Sequence, residues 1–378
     1  MQRRKTTIIV LVTVLAILLS STVLFSVVPG NSADALTTAQ VSSAVKAGGG
    51  ADLWNSATST WNATVLSDMV SKIFPVTTTW ESYIKNNGSE DYTRVGKNSP
   101  NVAEKDIPYY VVPASTINAR VGSANYGMVV KLDGKDWMVT SLTIDRDDNI
   151  VVTLMLATPN DSAVGTTKYW GTAGETKGNN MYARSLVRSK LLSSSYFSLF
   201  STAGAGSFAE KYLVQPKNIQ YQRTETQYNR AKSGEVPENV NGNIPNDALG
   251  SLTSGWDDKT YKVNYQPSDT FPDASGNMVR YDAWGDDYIW LPSVTETGNN
   301  GSIPTSCIWK LTSYQRSHSS STAFTRSGDA NGWQNVYPLT STGAHGGDSC
   351  TSTGSVRPAI HLNLSAIAKV TPITSDIY

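Results

Sequence analysis

A chain of 378 residues with 39% hydrophobic and 16% charged residues has enough apolar content to build a core, which excludes a disordered chain. Lys plus Arg and Asp plus Glu both total 31, and no cationic block outside the extreme N-terminus tracks a phosphate backbone, so nucleic-acid binding is excluded too. Ten Trp and eighteen Tyr on a background of Ser, Thr, Asn and Gly have the character of an exported β-rich protein rather than a cytosolic helical enzyme.

The N-terminus carries an export signal. Arg3, Arg4 and Lys5 precede an uncharged run from Thr6 to Val28, and Ala33-Asp34-Ala35 supplies the small residues of a peptidase site. Residues 1–35 are expected to act either as a cleaved signal peptide or as a retained membrane anchor, because the run is long enough to span a bilayer. Both outcomes place the body outside the cell, extracellular or at the cell surface. Cleavage after Ala35 would leave 28 cations against 30 anions, a nearly neutral body.

Residues 36–50 are small and polar and predict a flexible linker. Trp54, Trp61, Val65, Leu66, Met69, Val70, Ile73 and Phe74 recur at helical spacing, which predicts one amphipathic helix ending at Pro75, with Asn62 or Thr64 as its cap. Residues 77–104 are polar and punctuated, a connector that closes the 51–104 region. Strands are predicted at Tyr109–Val112, Gly127–Leu132, Trp137–Leu142 and Ile150–Leu156, with Asp133-Gly134 as a hairpin turn and the last three forming a meander. Asn179–Phe200 has helical periodicity, with Arg184 and Arg188 on one face. Residues 220–271 lack a regular pattern, as a covering or functional insertion would. Short strands are expected at Tyr212–Pro216, Asp287–Leu291, Ile308–Leu311, Thr322–Thr325 and Gln334–Leu339. Ser355–Ile367 reads as a closing strand that returns to the sheet, with Pro358 at an edge or entry position.

The blocks Gly127–Val139, Arg184–Arg188, Asp287–Ser293, Ala323–Ser327 and Val356–Ile360 together resemble a domain family of exported bacterial proteins, similar to the formylglycine-generating (sulfatase-modifying) and C-type-lectin-like fold group. The resemblance covers residues 105–370 and leaves 371–378 as a tail. It implies an α+β fold of small twisted antiparallel sheets, flanking helices and long loops that present a binding surface. The family's catalytic members need a closely spaced cysteine pair, and Cys307 and Cys350 do not match it. Calcium-dependent lectins carry paired Pro- and Trp-centred motifs, which Gln215-Pro-Lys, Gln266-Pro-Ser and Trp256-Asp-Asp do not reproduce. The implied role is a non-catalytic binding or structural module facing a glycan, peptide or protein. A subunit of a pilus-like assembly built through the N-terminal hydrophobic helix is the alternative, and an oxidase of the formylglycine-generating kind is the remote one.

Candidate ligand contacts cluster in Asp329–Asn335. Trp333 offers an aromatic platform among the amides of Asn331, Gln334 and Asn335. Arg326 would either read a carboxylate on a partner or pair internally with Asp286 or Asp287. Trp290 and Trp309 belong to the core, and His361 is a packed or edge residue. Cys307 and Cys350 are expected to form one disulfide in an oxidising compartment. No cofactor is expected. A structural calcium ion at Asp145–Asp148, Asp257-Asp258 or Asp286-Asp287 lacks a supporting motif, since Asp in such bends also serves turn geometry.

Overall fold

The computed structural model describes residue 41 and residues 43–75, 77–88, 110–144, 149–158, 167–168, 182, 185–216, 270–272, 278–280, 286–297, 309–316, 323–326, 335–336, 338–339 and 348–368. Residues 1–35, expected as a signal peptide or anchor, most of the 220–271 stretch and the expected 371–378 tail lie outside them. Among the described residues no helix is long and apolar enough to cross a membrane.

The linker expected over 36–50 is corrected at its end. Val41 and Ala47 are buried, and β1 (Val45–Lys46) runs in the main sheet. The helix expected across Trp54–Phe74 is corrected as well. β2 (Trp54–Asn55) and β3 (Thr60–Trp61) form a small hairpin, and α1 (Ala63–Ile73) starts only where Asn62 Oδ1 accepts from the Val65 N–H at 3.3 Å. Trp54 and Trp61, seven apart, face each other across the hairpin with ring centroids 5.0 Å apart, so their spacing carries no helical meaning. The rest of the predicted face holds: Val65, Leu66, Met69, Val70 and Ile73 are buried. The expected connector contains a helix, α2 (Trp80–Asn87), capped by Thr79 and burying Trp80, Tyr83 and Ile84.

β4 (Tyr110–Pro113) leads directly into α3 (Ala114–Val121), which ends at Gly122 in the left-handed region. β5 (Met128–Leu132), β6 (Lys135–Ile144) and β7 (Ile150–Leu156) are the predicted meander. Asp133 and Gly134 take φ of 54° and 71°, the mirror-image turn whose twist matches paired strands. β8 (Thr167–Lys168) follows, and the expected long helix breaks into α4 (Leu186–Ser193), a single tight turn and α5 (Ser198–Ser201). α6 (Phe208–Tyr212) delivers the chain to β9 (Leu213–Val214), and β10 (Thr270–Pro272) pairs with β11 (Met278–Arg280). β12 (Ile289–Trp290), α7 (Val294–Thr297) and α8 (Ser313–Arg316) precede the late strands β13 (Ala323–Phe324), β14 (Asn335–Val336), β15 (Asp348–Ser349), β16 (Thr353–Val356) and β17 (Ala359–Asn363), and α9 (Leu364–Ala368) closes the described chain. Trp309–Leu311, expected as part of a strand, is irregular.

The main sheet runs β1-β5-β6-β7-β17-β12, with β4 also pairing β6 and β9 also pairing β17. The C-terminal strand thus enters the interior of the sheet, antiparallel to β7 from Ala359↔Met155 to Asn363↔Val151. Pro358 sits at the entry, where its missing donor breaks no ladder bond and its carbonyl accepts from Leu156 N at 2.8 Å. One contiguous core gathers Leu66 and Met69 from α1 together with Trp137, Leu154, Trp290 and Leu362, so the 51–104 and 105–370 regions share one interior. The fold is mixed α and β, with small sheets flanked by short helices.

Candidate cleft beside the Asp133-Gly134 turn

The turn between β5 and β6 receives the N-terminal segment. Asp52 bridges Lys131 in parallel register, and Leu53 N donates to Lys131 O at 2.7 Å. The Asp52 carboxylate accepts from the N–H groups of Trp54 and Asp133, both at 3.1 Å, and of Gly134 at 2.5 Å. Three backbone donors on one carboxylate make a charge-assisted staple between segments 81 residues apart.

Between this staple and the β2–β3 hairpin lies a cleft of about 520 Å³. Asp52, Asn55, Ser56, Thr60, Asn62, Asp133 and Gly134 line it together with Trp54 and Trp61. The two indoles are 7% and 9% exposed and are backed by Phe208 and Tyr212, with Trp54–Phe208 and Trp61–Tyr212 centroids both at 5.0 Å. Asp133 Oδ2 meets Lys135 Nζ at 2.6 Å, and that ammonium lies 4.5 Å from the Tyr196 ring centroid. The Asn55 side-chain oxygen accepts from Ala57 N and Thr58 N, and Ser56 Oγ donates to Asp133 Oδ1 at 3.4 Å. Asn55, Ser56 and Thr60 are exposed. The cleft is therefore lined by polar side chains and two nearly buried indoles and is tied to the β5–β6 hairpin through Asp52.

The expected contacts fall elsewhere. Asn331, Trp333 and Gln334 lie outside the described residues, and Asn335 sits on β14, paired in register with Ser349. Arg326 is corrected: it is buried, donates through both terminal nitrogens to Glu296 and through Nη1 to Leu291 O, and pairs with neither Asp286 nor Asp287. Asp287 instead takes a bidentate pair from Arg188, at 2.7 Å on each oxygen. Burial pushes the Asp287 carboxyl up in spite of that pair. Arg184, Cys307, His318 and His345 lie outside the described residues, so the Cys307–Cys350 bridge is not among the described contacts; Cys350 itself is buried. Trp290 and Trp309 are core residues, and among the described residues no three His, Cys, Asp or Glu side chains converge to hold a metal.

Glu296 carries a signal that sequence reading passed over. Ser293-Val-Thr-Glu296 is a reciprocal cap, with Ser293 N donating to Glu296 Oε2 at 2.7 Å and Glu296 N to Ser293 Oγ at 3.0 Å. Burial would raise the Glu296 carboxyl, but Arg326 and the Ser293 N–H hold it below the usual range. His361 lies in the same neighbourhood, its ring 4.4 Å from Trp290 and its Nδ1 2.9 Å from Thr153 Oγ1.

Burial pulls the His361 imidazole down to about 4 from 6.5, with Glu296 pulling against it and Arg326 with it. The folded value lies below the unfolded one, so the stability from a neutral His361 is complete above pH 6.5 and is lost as pH falls to about 4. The ring is half-buried, and a loss of about 1–3 kcal/mol is expected across that window. Urea midpoints at pH 7 and pH 4.5 should show the loss, and His361→Gln should flatten it. An unchanged slope in His361→Gln would assign the effect elsewhere.

Comparison of the chain with protein-family models, with curated proteins and with solved structures gives no match.

Proposed function

We propose that this chain is an exported, cell-surface, non-catalytic binding module of C-type-lectin-like architecture that presents the cleft beside the Asp133-Gly134 turn to a ligand outside the cell. Export rests on the cationic, apolar and small-residue pattern of residues 3–35. The lectin-like reading is supported by the C-terminal strand that returns to the sheet interior and by the small sheets with short flanking helices. The observation that carries the function is the cleft: an open concavity of about 520 Å³ lined mainly by polar side chains and built where the β2–β3 hairpin meets the β5–β6 turn. Its ligand is a glycan, a peptide or a protein surface, and a retained N-terminal segment would hold the module at the membrane.

Thr60→Trp tests the assignment. Thr60 is exposed on β3 and lines the cleft, so an indole there fills the space without entering the core. Capture on arrays of glycans and peptides should weaken at least about tenfold, equivalent to about 1.4 kcal/mol, with the urea midpoint unchanged. Equal capture by the parent and the blocked chain would remove the cleft from the function.

A further inference from the structure

We infer that the ligand of this cleft is a neutral saccharide of one or two rings. The inference rests on the cleft being the binding site and concerns what its lining selects. No Lys or Arg lines it, so an acidic ligand finds no cationic partner in the lining. A cationic ligand finds both carboxylates already compensated, Asp52 by three backbone N–H groups and Asp133 by Lys135. Each carboxylate still has lone pairs for a hydroxyl donor, since an ionised carboxyl offers about four.

The remaining polar lining supplies the complement. Asn55 and Asn62 commit their side-chain oxygens to the Ala57, Thr58 and Val65 N–H groups, which leaves their Nδ2 donors for a ligand. Thr60 and Ser56 add hydroxyls that already meet Thr58 Oγ1 at 2.7 Å and Asp133 Oδ1 at 3.4 Å and keep lone pairs that accept from a ligand. Donors and acceptors gathered in one cleft of about 520 Å³, with two indoles in its lining, match a polyol whose hydroxyls alternate with C–H groups.

Strand addition of an extended peptide at the β5 edge beside the cleft is excluded, because Val45–Lys46 and Asp52–Leu53 already take that edge. Trp54 and Trp61, 7% and 9% exposed, are the apolar side chains of its lining, which gives an aromatic or aliphatic anchor little to enter.

The full chain titrated against neutral disaccharides, their uronic-acid counterparts, amino sugars and short peptides decides the matter. Saturable binding is expected for a neutral saccharide alone. Asn55→Asp keeps the oxygens that hold the Ala57 and Thr58 N–H groups but deletes the amide donor, and Thr60→Val deletes one hydroxyl at constant shape. Each should weaken binding about five- to tenfold. Binding of a charged sugar or a peptide that Thr60→Trp abolishes would overturn the ligand class and leave the cleft standing. Neutral-sugar binding indifferent to all three substitutions would overturn the cleft itself, and no sugar binding at about 10 mM would overturn the inference.

Discussion

Gly127→Ala is expected to destabilise the protein by about 3–6 kcal/mol. Gly127 has φ of 65°, where an L side chain costs about 1–2 kcal/mol. Space is the larger obstacle: a Cβ there would collide with Asn118 Oδ1 and with Gln315 Nε2. Those two amides form a buried reciprocal pair, Asn118 Nδ2 to Gln315 Oε1 at 3.0 Å and Gln315 Nε2 to Asn118 Oδ1 at 3.3 Å, joining α3 to α8 across 197 residues. Displacing it strands buried donors and acceptors at about 1–3 kcal/mol each. Gly127 O also accepts from Val45 N at 3.0 Å, so the bend carries β1 as well. Gly122→Ala is the control, because Gly122 has φ of 71° with nothing within 4 Å of its would-be Cβ. That variant should lose only the backbone term. Urea midpoints at constant slope measure both, and equal losses would show that the amide pair yields freely.

The same comparison shows why the fold was only partly legible. Local chemistry announced the β5–β6 hairpin through Asp133-Gly134, the buried face of α1 through its spacing, and the entry of the closing strand through Pro358. α3 was missed because it starts on Pro113 with no side-chain cap, leaving only Gly122 as a stop signal. α2 had its signals, Thr79 and the Trp80/Tyr83/Ile84 triplet, but it is eight residues long inside a polar stretch. The cleft was hidden for a different reason. Trp and Asn stand together at Trp54-Asn55 and Trp61-Asn62 just as they do around Trp333, yet two tryptophans seven apart satisfy a helical period as well as a hairpin. What decides between them is the Asp52 carboxylate reaching Asp133 and Gly134, a contact 81 and 82 residues long that no window along the chain contains. Arg326 erred in the same way: its partner was a carboxylate, but the one that Ser293 had already positioned.

Arg357→Met should cost about 3–5 kcal/mol and loosen the closing strand first. Arg357 is fully buried. Its Nε donates to Leu156 O at 3.2 Å, its Nη1 to Arg316 O at 3.3 Å, and its Nη2 to Ala157 O at 3.1 Å and Gln315 O at 3.0 Å. One guanidinium therefore ties the end of β7 to the last residues of α8, immediately before β17 enters the sheet. Methionine replaces only the apolar stem, ends level with Nε and leaves those carbonyls without this donor, which is the expensive direction, since replacing both members of a buried polar contact can be neutral while removing one is not. Arg357→Lys should recover little, because an ammonium gathers its donors at a point and cannot fan out to carbonyls on two elements. Hydrogen exchange gives the local readout. Amides of β17 paired with β7 should lose protection in Arg357→Met while those of the β5–β6 hairpin, held by their own turn, keep it. Uniform loss across both would mean that the tail and the meander unfold as one unit. Full protection in β17 would mean that its five-residue ladder with β7 holds the strand without the guanidinium.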